Sequence, residues 1–286
     1  MPTKIELCEE TWNPITGCTP ISEGCQNCYA KRMSKRLAGR CGYPKENPFG
    51  VILHPDKLYH PLCWKKPRFI FVCSMGDLFH EDIPFMTIAK IFGTMHSAPH
   101  HTFLILTKRP ERMKEFINWF TSSEWRGAWP EEYPHVWLGV TAENQARADE
   151  RIPTLLSIPA SVHFVSCEPL LGSIDLEWYL RSPDLKAPHW IDWVICGGET
   201  SPGARPMHPD WARSLRDQCQ AARTPFFFKS WGDWVSPSQM PGETYRRIED
   251  FGDGIGITDN PRKVGKKAAG RLLDGQEWDQ YPEVRA

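Results

Sequence analysis

Three cysteines stand close together near the start of the chain, in the run Cys18-Thr-Pro-Ile-Ser-Glu-Gly-Cys25-Gln-Asn-Cys28. A thiolate is both a nucleophile and a soft metal ligand. Three of them on one loop are unusual unless they hold something. Structural zinc takes four ligands, usually as two pairs. Cys25 and Cys28 make one pair and Cys18 adds a third ligand; a fourth would have to come from Cys8, Cys41 or Cys63, and no second clean Cys-x-x-Cys exists. A redox dithiol of Cys25 and Cys28 leaves Cys18 without a purpose. An iron–sulfur cluster usually takes four cysteines, so three leave one iron open to another ligand. The loop reads as an iron–sulfur site with one iron left open and Cys18, Cys25 and Cys28 as metal ligands, and zinc stays open as the alternative.

The remaining chemistry-bearing residues follow apolar runs. They are Ser74-Met-Gly76-Asp77-Leu-Phe-His80, Thr107-Lys108-Arg109, Thr141-Ala-Glu143-Asn144, Ser166-Cys167-Glu168-Pro169, Gly197-Gly198-Glu199-Thr200 and Lys229-Ser230-Trp231. Any one of these is explained by helix capping, which favours the same residue types. Six together read better as a common polar mouth.

The elements that would position them alternate regularly. A first strand is expected around Thr11–Thr16, broken by Pro14. A helix is expected from Gln26 to about Leu37, with Ala30, Met33 and Leu37 on its apolar face. Lys31, Arg32, Lys35 and Arg36 fall off that face, as a solvated surface or as an anion-facing edge beside the cluster. Residues 39–67 are rich in Gly and Pro and read as a long connection. Buried strands are then expected at Arg68–Cys73, Thr102–Thr107, Val136–Val140, Val162–Ser166, Ile191–Ile195 and Phe226–Phe228. Amphipathic helices separate them, including a short one near Ile174–Leu180. Continuous apolar strands between helices imply a parallel sheet covered on both faces. About seven strand–helix steps approach the eight of a (β/α) barrel, so the expected fold class is α/β, a full or partial (β/α) barrel with helical cover. Residues 1–235 make the barrel domain and 236–286 an irregular basic C-terminal extension or lid. In that extension Arg262, Lys263, Lys266, Lys267 and Arg271 stand in one short run, a tail or an anion-binding lid.

Composition narrows the setting. A net charge of -1 announces no global basic field, although local patches can hide in a neutral total. The longest apolar runs are strand-sized, far short of a membrane span. Met1-Pro-Thr-Lys-Ile-Glu-Leu lacks the apolar core of a signal peptide. A cytoplasmic location is therefore expected, with the ten cysteines as free thiols and metal ligands rather than disulfides.

The run Gly24-Cys25-Gln-Asn-Cys28-Tyr-Ala-Lys-Arg32 resembles the end of the cluster loop of radical S-adenosylmethionine enzymes, the spore photoproduct lyase branch in particular. More closely, the chain resembles a phage- and prophage-associated three-Cys-motif family of unknown function. The runs that carry this are Thr11-Trp-Asn-Pro-Ile-Thr-Gly-Cys18, Gly197-Gly-Glu199 and Gly265-Lys-Lys-Ala-Ala-Gly-Arg271. The usual radical enzyme has three and then two residues between its cysteines, where this chain has six and two, and Asn27 stands where an aromatic is usual. A Gly-Gly-Glu element normally follows the second strand and binds the methionine amine. Here it follows the sixth, so Ser74, Gly76 and Asp77 are the better candidates.

The resemblance implies a [4Fe-4S] cluster whose open iron is chelated by S-adenosylmethionine. Reductive cleavage then yields a 5′-deoxyadenosyl radical that abstracts a hydrogen atom from substrate. The expected cofactor-binding residues are Tyr29, Ser74, Gly76, Asp77, Thr107, Glu143, Glu168 and Glu199. Cys167 or Cys196 is a candidate hydrogen-atom donor. Lys108, Arg109 and Lys229 are candidates to steer a phosphate, and Trp231 and Trp234 to stack on a base. The expected partners are a nucleic acid or nucleotide substrate, an external one-electron donor and a protein encoded nearby, with no membrane. Two other readings stand beside this one. The first is a zinc-stabilised binding protein without catalysis. The second is a hydrolase or nuclease using a divalent ion on Asp77, Glu168 and Glu199.

Overall fold

The structure is a computed structural model of the 286-residue chain and describes residues 6–122, 129–180, 190–240 and 260–283. In chain order the strands are β1 (Glu10–Trp12), β2 (Ile15–Thr16), β3 (Ile52–Leu53), β4 (Phe69–Val72), β5 (Thr102–Thr107), β6 (Val136–Thr141), β7 (His163–Cys167), β8 (Trp193–Gly197), β9 (Phe226–Ser230), β10 (Trp234–Val235) and β11 (Arg262–Lys263). The long helices are α1 (Tyr29–Leu37), α2 (Phe85–His96), α3 (Pro110–Ser122), α4 (Gln145–Leu156) and α5 (Pro209–Ala221).

Seven of these strands form one sheet in the order β1-β4-β5-β6-β7-β8-β9, and every neighbouring pair is parallel. The order never reverses, as it would in a doubly wound sheet. Among the described residues β1 and β9 do not pair with each other. The fold is thus a partial (β/α) barrel with its helices outside.

Side chains along each strand alternate between two cores, as the period of two requires. Ile70, Val72, Phe103, Ile105, Leu138, Val165 and Val194 face outward onto the helices. Phe71, Leu104, Trp137, Phe164, Trp193, Ile195 and Phe227 face inward. The inner set fills the barrel at the N-terminal ends of the strands. There the Phe69 and Trp137 rings meet edge to face at 4.9 Å, and Trp137 and Trp193 at 6.0 Å. Tyr281, from the C-terminal segment, packs on Trp193 at 5.2 Å and completes the plug.

The described part of the C-terminal extension is fastened to the barrel. β11 pairs antiparallel with β10, across the expected boundary at residue 235. The free edge of β9 is covered: Phe228 N–H donates to Trp278 O at 2.7 Å and Gln280 N–H to Phe226 O at 3.2 Å. A covered edge offers no template for another chain. Asp274 closes the clasp by accepting from Arg213, Arg216 and Gln239.

Several elements differ from expectation. Pro14 splits the first strand into β1 and β2, and β2 pairs with β3 of the long connection. α1 begins at Tyr29 rather than Gln26, because a 3₁₀ turn at Glu23–Cys25 intervenes. The helix expected near Ile174–Leu180 is a turn ending in a single bridge from Leu180 to Ile191. Asp175 takes the Glu177 N–H there, a local hydrogen bond that competes with helix. No helix among the described residues is long and apolar enough to cross a membrane.

Candidate functional site

The cysteine loop is laid across the C-terminal ends of the strands. Gly17 delivers it there. Its φ is +90°, and the backbone carbonyls of Phe49 and Gly50 occupy the space a side chain would need. Gly17 N–H bonds Met75 O at 2.9 Å, and a Cβ on Gly76 would lie 2.8 Å from Gly17 O. The loop therefore runs backbone against backbone over the turn that follows β4.

Three buried charged residues then hold the loop. Arg109 follows β5. Its Nε donates to Glu81 at 3.0 Å, its Nη1 to Cys18 Sγ and Asp77 Oδ2 at 3.3 Å each, and its Nη2 to Thr19 O at 3.1 Å and Thr19 Oγ1 at 2.9 Å. All five guanidinium donors are used. His80 supports the same point: its Nδ1 accepts from Asp82 N–H, so its Nε2 carries the proton and donates to Thr19 Oγ1 at 2.8 Å.

Glu143, after β6, is the second anchor. Its Oε1 accepts from Ser22 Oγ at 2.6 Å and its Oε2 pairs with Arg151 at 2.8 Å. Gly24 lies directly on this carboxylate; any side chain there would strike it. Glu199, after β8, is the third. It accepts from Asn27 Nδ2 at 2.9 Å and pairs with Arg205, whose Nη2 also reaches Glu23 O at 3.0 Å. Burial would raise the Glu199 carboxyl. The hydrogen bonds from Arg205 and Asn27 outweigh it and hold the carboxyl below its usual range.

Beneath the loop lies a cavity of about 270 Å³ at the mouth of the barrel. Cys18, Cys25 and Cys28 all line it, with Tyr29, Ser74, Gly76, Asp77, Thr107, Glu168 and Glu199. Of the expected cofactor-binding residues only Glu143 is absent from the lining, being wholly buried under the loop. A larger hollow, about 750 Å³, lies beside Asp192, Arg223 and Tyr281 at the opposite ends of the strands, the end that stabilises barrels rather than works in them.

The family model for a protein of unknown function (DUF5131) matches residues 2–282. The chain belongs to that family. No curated protein and no solved structure matches it. The DUF5131 match takes in the C-terminal segment together with the barrel and the cysteine loop.

The thiols of this DUF5131 chain differ in electrostatic setting. Burial, with Asp77 nearby, pushes the Cys18 thiol up to about 11 despite the bond from Arg109. Burial also opposes ionisation of Cys25, but the Lys108 ammonium and hydrogen bonds from the Ile21 and Ser22 backbone outweigh it and draw that thiol below its ordinary value. Lys108 in turn lies 3.3 Å from Glu143. On the far wall Lys229 pairs with Glu168 at 2.7 Å.

The structure redirects other expectations. Lys108, Arg109 and Lys229, read as phosphate-steering cations, are each paired with a carboxylate. Trp231 is buried, its indole donating to Leu272 O, and Trp234 donates to Ala204 O under the Lys263 ammonium. Trp231 thus has no face for a base, and Lys263 stands over the Trp234 ring. Cys167 and Cys196 sit side by side on the outer face of the sheet, fully buried and outside the cavity. Asn27, Ser22 and Arg205 are the residues that sequence reasoning missed. Asn27 alone left a signal, standing between Cys25 and Cys28 where an aromatic was expected.

The donor set discriminates among metal groups. Among the described residues no three His, Cys, Asp or Glu side chains meet at a point suited to one metal ion. Asp77, Glu168 and Glu199 each face a different cation, Arg109, Lys229 and Arg205, rather than one another. Tetrahedral zinc needs four ligands on one centre. A fourth cysteine, Cys73, lines the cavity wall, but its thiol is fully buried and bonded to the Ile15 backbone. A cubane takes its thiolates on different irons and so does not need the three sulfurs to meet at one point; Cys18, Cys25 and Cys28 all line the one cavity, beside Arg109 and Lys108.

Proposed function

We propose that this protein is a radical S-adenosylmethionine-type enzyme of the cytoplasm, with a [4Fe-4S] cluster held by Cys18, Cys25 and Cys28. The observation that carries the reading is the common cavity. Three thiols far apart from the strand ends in sequence line one hollow with them, at the end of a parallel barrel where working residues gather. When bound, the cluster would supply the single electron that cleaves S-adenosylmethionine.

The chain's own residues do the rest. Arg109 and Lys108 offset thiolate charge at Cys18 and Cys25. Glu143 and Glu199 fix the loop from below through Ser22 and Asn27. Glu168 and Lys229 present paired charge from the opposite wall, suited to orienting a zwitterionic or polar ligand. The aromatic plug excludes water from the other end.

The test is anaerobic reconstitution with iron and sulfide, followed by metal analysis and a search for 5′-deoxyadenosine after reduction. About four irons per chain and 5′-deoxyadenosine, both lost in Cys25→Ala, support the reading. A colourless protein with one zinc per chain, or catalysis that survives Cys25→Ala, overturns it.

A further inference from the structure

From residue 24 to residue 45 the chain has six basic residues and no acid, against a net charge of -1 for the whole. Most of this charge lies on α1, which starts at the cavity mouth with Cys28 as its N-cap. Its apolar side is consumed: Ala30 packs with Tyr43 and Met75, and Met33 and Leu37 lie against them. Lys31, Lys35, Arg36 and Arg40 are exposed, and neither they nor Arg32 form an ion pair among the described residues. Tyr29, the first residue of α1, lines the cavity yet is 50% exposed. The Arg32 guanidinium stands over its ring at 5.9 Å and steadies it.

Spacing turns these residues into a track. Tyr29, Arg32 and Arg36 follow at i+3 and i+4, and Lys31 and Lys35 make a second row beside them. Nine helical residues span about 13 Å, the length of about four phosphates in a stacked strand. An unpaired cationic track ending in an exposed aromatic at a cavity is the arrangement that binds single-stranded nucleic acid: backbone on the cations, a base on the ring. A membrane fits poorly, because α1 has no free apolar side to insert. A duplex would leave the Tyr29 ring and the cavity unused, since its bases are stacked inside.

We infer that α1 is a docking surface for single-stranded nucleic acid, with Tyr29 stacking the base that enters the mouth. As an assignment of substrate class it rests on the mouth being the working site; as a binding surface it does not need the cluster.

The experiment is fluorescence anisotropy of a labelled oligothymidylate with the full-length protein, as isolated and after reconstitution, across a salt series. The triple variant Lys31→Gln, Lys35→Gln, Arg36→Gln should weaken binding at least tenfold and lower the salt slope by about 2, at about 0.7 per phosphate lost. Tyr29→Ala should weaken binding about tenfold at an unchanged slope. Lys90→Gln with Lys114→Gln, exposed on α2 and α3, should change neither. No binding at low salt, binding indifferent to the α1 substitutions, equal competition by duplex, or α1-dependent binding to phosphatidylserine vesicles instead would each overturn the inference. Cleavage of S-adenosylmethionine, assayed without nucleic acid, reads the cluster separately, so failure of one leaves the other legible.

Discussion

Arg109 Nη1 lies 3.3 Å from the Cys18 sulfur and the same distance from Asp77 Oδ2. One guanidinium thus ties the first cysteine of the loop to the turn after β4. It is buried, and its five donors leave no slack for a different cation.

Replacing it should therefore be costly. Arg109→Ala leaves the Asp77 carboxylate without its cation and should lower stability by about 3–5 kcal/mol, the usual result of breaking a buried pair. Arg109→Lys keeps the charge but has three donors where five are used. It should recover part of the melting temperature and little of the iron content. Calorimetry and metal analysis on the two variants check this.

Gly24 makes a sharper test of the loop. A methyl group there meets the Glu143 carboxylate, which Arg151 and Ser22 hold in place. Gly24→Ala should cost about 1–3 kcal/mol, the range for overpacking. It should also reduce iron incorporation, because the loop must lift. A variant with unaltered melting and full iron content would show that the loop is not seated as described.

The metal-free thiols should react in a set order. Cys25 is drawn below its ordinary value and Cys18 pushed up to about 11. At mildly alkaline pH iodoacetamide should label Cys25 well before Cys18, as thiolate fraction dictates. Lys108→Met should slow Cys25 labelling. Peptide mass spectrometry resolves both from the exposed Cys41 and Cys63.

Acid should loosen the C-terminal clasp. Hydrogen bonds from Arg213, set against modest burial, and from Arg216 and Gln239 hold the Asp274 carboxyl well below its usual 3.8. A depressed carboxyl contributes stability above its unfolded value and loses it as pH falls toward the folded one. The clasp should therefore be intact at neutral pH and weaken progressively below pH 3.8. Asp274→Asn should be less stable than the parent at neutral pH and should flatten this acid limb. Urea unfolding across the range measures it.

Much of the architecture was legible because it rests on local pattern. Runs such as residues 103–106 and 136–140 are apolar throughout, and only a strand buried on both faces wants that. The polar strand ends and the three cysteines were equally visible, and the structure brings them to one cavity. Their division of labour was not. Glu143 and Glu168 look alike in sequence, each a carboxylate just past a strand. One is sealed under the loop by Arg151, which comes from a helix behind it; the other meets Lys229 across the cavity. Such pairings depend on contacts between residues far apart in the chain. The docking of residues 260–283 was hidden for the same reason: Trp278 and Gln280 bond to Phe228 and Phe226 of β9 through backbone groups, which no side-chain pattern announces.

The packed aromatic rings at the foot of the barrel carry a kinetic consequence. With Trp137, Trp193 and Phe69 in place, the foot of the barrel is stopped by packed rings, while the cavity among the described residues lies at the other end, beside the cysteine loop and Tyr29. A ligand of that cavity should therefore come and go at the end where Tyr29 stands. Two ligands sharing that end should bind in order, the deeper one first, and initial-rate kinetics would show it as compulsory-order binding.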